Sequence, residues 1–396
     1  MIDLLSKLGR VTRAWLRMTG SMAFRIVACC SIGVLASLLS FPLAASGETN
    51  PARLLARAKG RVPVYYSPRF EAQALKYQKT LIACQRWYDR KVRKHVDFDL
   101  IVLNKEDWGM FTDKNMYPWG AEYPYPFPYS QPSVNGPSRR AFVVLPAHFE
   151  DLTDASGFAD DLELLVENIS YHELGHLYAK AMEMETSEFL GEMYADIFMA
   201  SFVRARRRDM HVFLQGPPAK FQPQRYSSLA DFFYLYGDVG VTNNIWFQFQ
   251  LYHLSDVLIR DKSLLTVIAE LKNAFRDSTL PPFNYVAAQL EAIHPGLGAE
   301  MGPLWQPTTL PDARPNTCTG KAGSDKHSAL VVQNASTKAV TLTFKAMSRS
   351  VAPNSWARIG GHPGEQVRTD PGLCFVFQDE PAIVRLPSQQ RADLGP

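Results

Sequence analysis

Two histidines four residues apart are the side chains of this sequence best suited to chemistry. They lie in the run His172-Glu173-Leu174-Gly175-His176. Residues four apart on an α-helix are rotated by about 40° and lie one turn along, so both imidazoles point the same way. Zinc accepts imidazole nitrogen well, and a catalytic zinc site takes three protein ligands and keeps one position open. The spacing therefore predicts a Zn²⁺ site that includes His172 and His176.

Glu173 follows the first histidine and is rotated from it by about 100°. It cannot share the ligand geometry, but it can reach a metal-bound water and act as a general base. The alternative is a surface helix with two unrelated histidines. Against it, Leu165, Ile169, His172 and His176 form one helical stripe, which places the histidines on an inward face. Gly175 costs about 1 kcal/mol in a helix interior, which predicts a close approach by a neighbouring element.

The next predicted helix, from about 188 to 207, is apolar nearly all round and should be buried. Glu192 and Asp196 are the only acids in its central part, four residues apart and on one face. A buried carboxylate needs a cationic or donor partner. We therefore expect Glu192 to be the third metal ligand and Asp196 to hold the second nitrogen of a ligand histidine.

His-Glu-x-x-His followed by Glu-x-x-x-Asp on the next helix resembles the gluzincin metallopeptidases, the group of thermolysin and aminopeptidase N. The specific matches span 172–196, and the likeness extends over roughly 60–295. Fifteen residues separate His176 from Glu192, slightly fewer than in those two enzymes. The pattern is closest to uncharacterised exported bacterial proteins with a peptidase-MA-like domain. The resemblance implies a zincin-like fold whose edge strand binds the substrate backbone.

The resemblance also implies a tyrosine or histidine that stabilises the oxyanion. Tyr236 and His253 rank highest among the downstream candidates, ahead of Tyr234 and Tyr252. Other polar and aromatic residues that could line the same cleft are Asn243, Asn244, Trp246 and Gln248. The Gly-Ala-Met-Glu-Asn-like substrate motif of aminopeptidase N is absent from the sequence.

The N-terminal residues 1–46 have the features of a secretory signal peptide: a basic start, an uncharged stretch over 26–46 and small residues at its end. We expect cleavage near Ser46 and export to the periplasm or the cell exterior. The uncharged stretch is long enough to span a bilayer, so an uncleaved anchor is the alternative, and only then would the protein contact a membrane.

The net charge of the whole chain is +3. Residues 1–46 contain five basic residues and one acidic residue, so the mature chain carries a charge near −1. This charge gives no basis for nucleic-acid binding. The local run of arginines at 204–208 is interpreted as the solvated end of a helix, with a binding patch as the alternative.

The pattern of elements predicts an α+β fold in two parts. A zincin-like peptidase domain occupies 60–302, with strands at 62–66, 96–103 and 141–145 and helices at 69–94, 158–182, 188–207, 245–260, 263–276 and 284–293. The segment 108–137, crowded with proline and aromatic residues, predicts an irregular loop. A proline-rich linker over 303–317 leads to a sandwich-like all-β module at 318–387, with strands at 329–333, 339–344, 356–359 and 374–377.

Three cysteines remain outside the signal segment. Cys318 and Cys374 both lie in the predicted β module, and we expect them to form a disulfide in an oxidising compartment. Cys84 lies in a predicted helix and is expected to be a buried free thiol.

The sequence thus predicts an exported hydrolase that cleaves peptide bonds in a peptide or protein substrate, with zinc-activated water and Glu173 as general base. Two alternatives remain open. The chain could be a non-catalytic binding protein that keeps the zincin scaffold, or a zinc amidase that acts on a non-protein amide.

Overall fold

The computed structural model describes residues 55–110, 125–131, 137, 140–148, 150–151, 162–184, 187–216, 226–239, 241–276, 282–305, 328–345, 347–370, 372–378 and 381–386. The predicted signal peptide or anchor at 1–46 and most of the predicted linker at 303–317 lie outside these residues. Cys318 lies outside them as well.

The first sheet has five strands: β1 (Ala56–Ala58), β2 (Val64–Tyr66), β3 (Phe98–Leu103), β4 (Tyr129–Gln131) and β5 (Ala141–Pro146). Their order is β1-β2-β3-β5-β4. β2, β3 and β5 run parallel, whereas β1 and β4 are antiparallel edges. All six residues of β3 are buried, as a central strand covered on both faces requires.

In chain order, the helices of the described residues are α1 (Glu71–Val92), α2 (Leu162–Ala181), α3 (Glu188–Arg206), α4 (Arg208–Leu214), α5 (Leu229–Leu235), α6 (Val241–Ile259), α7 (Leu264–Phe275), α8 (Phe283–Ile293) and α9 (Leu297–Met301). Short 3₁₀ turns cover Trp108–Met110, Tyr236–Val239 and Gly302–Trp305. Among the described residues, no helix combines the length and apolarity needed to cross a bilayer.

The residues of helix α3 account for its burial and for where it begins and ends. Ser187 caps its start, because its Oγ accepts a hydrogen bond from the backbone amide of Leu190 at 3.3 Å. Fourteen of its residues are buried, including Glu192 and Asp196. Beyond its buried part, Arg204 pairs with Asp256 at 2.9 Å and Arg207 with Asp209 at 2.8 Å. The arginine run does lie at the end of α3, although Arg204 and Arg207 are held in ion pairs.

Seven strands follow the helices: β6 (Ser328–Asn334), β7 (Val340–Phe344), β8 (Met347–Val351), β9 (Ser355–Gly361), β10 (Gln366–Asp370), β11 (Cys374–Val376) and β12 (Ala382–Leu386). They form two sheets, ordered β11-β10-β7-β8 and β12-β6-β9. Helices and several sheets therefore follow one another along the chain, as in an α+β fold.

The two faces of the sheet β12-β6-β9 pack into two different apolar cores. Leu330 and Val332 of β6 belong to an apolar core shared with the other C-terminal sheet, whereas Val331 belongs to the core of the helical region. Successive side chains of a strand point to opposite faces, which accounts for this split. Trp356 of β9 also joins the main core, with its ring centroid 5.5 Å from that of Phe233 in α5. The C-terminal strands thus share a core with the helices.

Several elements were not predicted. The segment expected to be an irregular loop contains β4, and the region between the predicted helices at 188–207 and 245–260 contains α4 and α5. β8, β10 and β12 were also missed. Strand β8 is mostly exposed, so it lacks the apolar alternation that reveals a half-buried strand.

Cys84 is a free, buried thiol on α1, as predicted. Cys374 is disulfide-bonded. Because Cys318 lies outside the described residues, the Cys318–Cys374 pair stays a prediction.

We expect peptide mapping without reductant to recover Cys318 and Cys374 in one linked fragment. Replacing Cys374 by serine should lower the free energy of unfolding by about 2–4 kcal/mol. Recovery of both residues as free thiols would rule the pair out.

Candidate metal centre

Helices α2 and α3 lie very close together at Gly175. A Cβ atom at this position would lie 2.5 Å from the carbonyl oxygen of Ala195 and 3.0 Å from its Cα. Such contacts with backbone atoms leave no room for a side chain. The close approach predicted from Gly175 is therefore present, and it places the histidine pair of α2 against the acids of α3.

We expect Gly175→Ala to destabilise the protein. Overpacking costs about 1–3 kcal/mol, and the better helix propensity of alanine returns at most about 1 kcal/mol. Gly191→Ala is the matched control, because nothing lies within 4 Å of a Cβ there. Thermal unfolding should show a lower Tm for Gly175→Ala and an equal or higher Tm for Gly191→Ala. Equal stability of the two variants would contradict the steric argument.

The two histidines meet on the face of α2 that points toward α3. Their ring centroids are 4.6 Å apart and the rings are nearly perpendicular, at 88°. His172 is buried and His176 is partly exposed, with 19% of its side chain accessible. One partly open side of an otherwise buried pair is what a ligand or water molecule needs for access.

Glu192 of α3 lies between the two rings. One carboxylate oxygen, Oε2, is 3.1 Å from Nε2 of His172, and the other, Oε1, is 3.5 Å from Nε2 of His176. Ligand atoms of a tetrahedral zinc site with bonds of 2.0–2.2 Å are about 3.3–3.6 Å apart. The two separations, 3.1 and 3.5 Å, lie close to or within this range, so Glu192 is placed where it could share a zinc ion with the histidines.

Glu173 is the other carboxylate near the histidines, and His172, Glu173 and His176 each have a ligand atom within 4.8 Å of the others. Glu192 is the carboxylate whose oxygens lie 3.1 and 3.5 Å from the Nε2 atoms of the two histidines. The carboxylate of Glu173 also has a different partner, because the hydroxyl of Ser130 donates to its Oε2 at 2.8 Å. We therefore assign the third ligand position to Glu192 and leave Glu173 beside the cluster.

Ser130 was not predicted, and it ties the edge strand β4 to the motif helix. Its backbone amide also donates to Glu173. A short strand inside a proline-rich and aromatic segment has no periodic signal, so the sequence does not reveal that Ser130 faces the motif.

Asp196, one turn after Glu192, holds the other side of His172. Its Oδ1 lies 2.7 Å from Nδ1 of His172, and Asp196 is 1% exposed. A hydrogen bond at Nδ1 fixes the ring orientation and leaves Nε2 directed toward Glu192. This is the arrangement expected for Asp196 from the sequence.

The charges of the cluster favour a divalent cation. Three buried carboxylates, those of Glu173, Glu192 and Asp196, surround only two imidazoles. Buried negative charge is costly unless it is paired. A doubly charged ion between the histidines and Glu192 would supply the missing positive charge.

The pKa values of the cluster follow from its burial and its charges. Burial lowers the pKa of His176 to about 4, so its imidazole is neutral and has a lone pair for a metal. Burial disfavours a charged Glu192, but His176 and His172 outweigh it and hold the pKa of Glu192 well below its usual range. Burial raises the pKa of Glu173 to about 7, although His172 opposes the shift. Glu173 can therefore accept and release a proton near neutral pH.

Tyr236 and Gln248 complete the surroundings of Glu192. The hydroxyl of Tyr236 donates to Oε1 at 2.8 Å, and Nε2 of Gln248 donates to Oε2 at 3.0 Å. Tyr236 has the unusual backbone angles φ 47° and ψ −118°. Tyr236 was a predicted oxyanion stabiliser, and the structure brings it to the cluster.

His253 does not join the cluster. It lies five residues after Gln248 on α6, a rotation of about 140° around the helix axis. It interacts electrostatically with Glu300. No hydrogen bond or ion pair among the described residues connects His253 with the histidines of α2, so we remove it from the candidate site.

Two further tyrosines have partners elsewhere. The hydroxyl of Tyr234 accepts the backbone amide of Phe283 at 3.2 Å, and the hydroxyl of Tyr252 lies 2.7 Å from Nδ1 of His211. Asn243 donates to the backbone carbonyl of Tyr226 at 3.1 Å. These contacts connect α5 with α8, α4 with α6, and α6 with the segment before α5.

No known family model matches this chain, and no curated protein matches it significantly. Its function is therefore inferred from the geometry of the site.

Proposed function

We propose that this protein is an exported zinc metallopeptidase with a zincin-like domain and a C-terminal all-β module. The observation that carries the proposal is the position of Glu192, whose two oxygens lie 3.1 and 3.5 Å from the Nε2 atoms of His172 and His176. A chance His-Glu-x-x-His run has no reason to meet a buried carboxylate from another helix at ligand spacing.

Each residue of the cluster has a role in hydrolysis. A zinc ion held by His172, His176 and Glu192 would acidify a water molecule and polarise a carbonyl group. Glu173 takes a proton from the attacking water and passes it to the nitrogen of the leaving amine as the carbon–nitrogen bond breaks. Ser130 keeps the Glu173 carboxylate in place through its hydroxyl and its backbone amide.

Tyr236, which contacts Glu192, is the proposed hydrogen-bond donor to the oxyanion. Its hydroxyl now donates to Glu192. A modest rotation of the side chain would let it donate to the negative charge that develops on the scissile carbonyl oxygen. Such a donor stabilises the transition state more than the ground state, and this is the requirement for faster hydrolysis.

A peptide substrate fits the position of β4. This strand is at the edge of the sheet, and its Ser130 contacts Glu173. An extended peptide can pair with an edge strand through main-chain hydrogen bonds. Such pairing would place a peptide bond next to Glu173, which favours a peptide over a small non-protein amide.

We expect the purified mature protein to contain about one zinc ion per chain and to cleave members of a broad peptide library. Zinc is measured by elemental analysis, and cleavage by mass spectrometry before and after chelation. Protein that neither retains nor takes up zinc would overturn the proposal. Bound zinc with no cleavage of any peptide would favour the non-catalytic scaffold, and cleavage of non-peptide amides alone would favour the amidase.

A further inference from the structure

Arg358 of β9 extends from the C-terminal strands into the helical region. Its side chain is 8% exposed. Nη2 donates to both oxygens of Glu188, at 2.7 and 2.6 Å, and Nη1 donates to the backbone carbonyl of Leu235 at 2.9 Å. The planar guanidinium thus holds a carboxylate and a backbone carbonyl at once, which an ammonium group cannot reproduce in the same geometry.

The Leu235 carbonyl belongs to the peptide plane immediately before Tyr236. Tyr236 has a φ of 47° and a ψ of −118°, a conformation that residues with a side chain rarely adopt. Such a conformation persists only where the surrounding structure imposes it. The guanidinium of Arg358 also lies 5.8 Å from the centroid of the Tyr236 ring. Arg358 therefore restrains Tyr236 through both its backbone and its ring.

The second partner of Arg358 leads back to the same site. Glu188 is in the first turn of α3, one turn before Glu192. Glu192 accepts the hydroxyl of Tyr236 at 2.8 Å. Arg358 thus connects the helix that carries Glu192 with the turn that carries Tyr236, and it does so from a strand 123 residues beyond Leu235.

We propose that Arg358 is a positioning residue for Tyr236, so that the C-terminal strands form part of the catalytic frame. Its catalytic consequence rests on the proposed peptidase function, whereas its effect on the Tyr236 turn does not. The competing explanation is that Arg358 only helps to attach the strands to the helices. Trp356 of β9 also makes that attachment, because it packs against Phe233 and Tyr234 of α5.

Two variants of Arg358 separate these explanations. Arg358→Lys is expected to fold, because it keeps a positive charge near Glu188. It loses the planar guanidinium that also donates to the Leu235 carbonyl. Arg358→Met removes the contacts with Glu188 and Leu235 and also the positive charge 4.0 Å from Asp238. Trp356→Phe is the control for weakened attachment, and Arg368→Met is the control for loss of an exposed arginine from β10.

The first measurement is hydrogen exchange at the Tyr236 amide, which donates to the carbonyl of Phe232. We expect exchange at least about 10-fold faster in Arg358→Lys than in the wild type, because the turn opens locally. Trp356→Phe and Arg368→Met should keep the wild-type rate at this amide relative to the rest of α5. Wild-type exchange in both Arg358 variants would overturn the proposal, whether or not the protein is a peptidase.

The second measurement is a double-mutant cycle in peptide hydrolysis with Tyr236→Phe. Arg358→Lys should lower kcat by about 10- to 100-fold, with KM changed less than threefold and the zinc content unchanged. The double variant should be no slower than Tyr236→Phe alone, because Arg358 acts through that tyrosine. Independent, multiplicative losses would refute the positioning role. A wild type that cleaves no peptide would refute the proposed function and leave the exchange result to decide the role of Arg358.

Discussion

Glu173→Gln will lower kcat for peptide hydrolysis by about 10²–10⁴-fold, the range typical of a lost general base, and will leave the zinc content unchanged. Glutamine has the shape of glutamate but cannot take a proton from water. The proposed ligands, His172, His176 and Glu192, do not depend on the Glu173 carboxylate for their orientation. The hydroxyl of Ser130 can still donate to the glutamine side-chain oxygen, which keeps the side chain in place.

The measurement pairs steady-state hydrolysis with elemental analysis of the same sample. Glu163→Gln is the matched control, because Glu163 lies on the same helix and its side chain is 59% exposed. That control should keep both activity and zinc. If Glu173→Gln loses zinc and activity in equal proportion, Glu173 is a metal ligand, and the assignment of Glu192 is wrong.

The helices that hold the site could be predicted from the sequence because their signals are local. The apolar stripe of α2 continues into His172 and His176, and the central part of α3 is apolar except for two acids one turn apart. Gly175 in a helix interior indicated a close neighbour, which is the backbone of Ala195. In each case a helical period of 3.6 residues connects residue type with face.

Other parts of the site depend on short elements with weak signals. The strand β4 has three residues, too few for an alternating pattern to be recognised. Helix α5 has seven residues and is aromatic on several faces, yet its start could have been found. Ser228 and Asp231 form a capping box, with the Ser228 side chain accepting from the Asp231 amide at 3.1 Å.

Long-range contacts could not be predicted from one sequence at all. Arg358 is 170 residues from Glu188, and nothing near either residue indicates the other. An arginine on a predicted strand is usually solvated. Burial of its side chain becomes evident only when the C-terminal strands pack against α5.

Glu192→Ala will lower zinc affinity by more than about 100-fold, beyond the 10- to 100-fold loss typical of a residue that only orients a ligand. The reason is the position of its oxygens, 3.1 Å from Nε2 of His172 and 3.5 Å from Nε2 of His176. Two histidines alone leave a zinc site one ligand short. Asp196→Asn, which changes the hydrogen bond at Nδ1 of His172, should fall within the 10- to 100-fold range.

Competition with a chromogenic chelator at fixed pH measures both affinities, and thermal unfolding of the zinc-free proteins shows whether each variant folds. Glu163→Ala serves as the control for loss of an exposed carboxylate and should bind zinc like the wild type. The order of the losses is the decisive result, because a direct ligand must matter more than the residue that orients one. If Asp196→Asn costs more affinity than Glu192→Ala, then Glu192 only neutralises the cluster and another carboxylate completes the site. Glu173 would then be that carboxylate, since it also lies within 4.8 Å of both histidines.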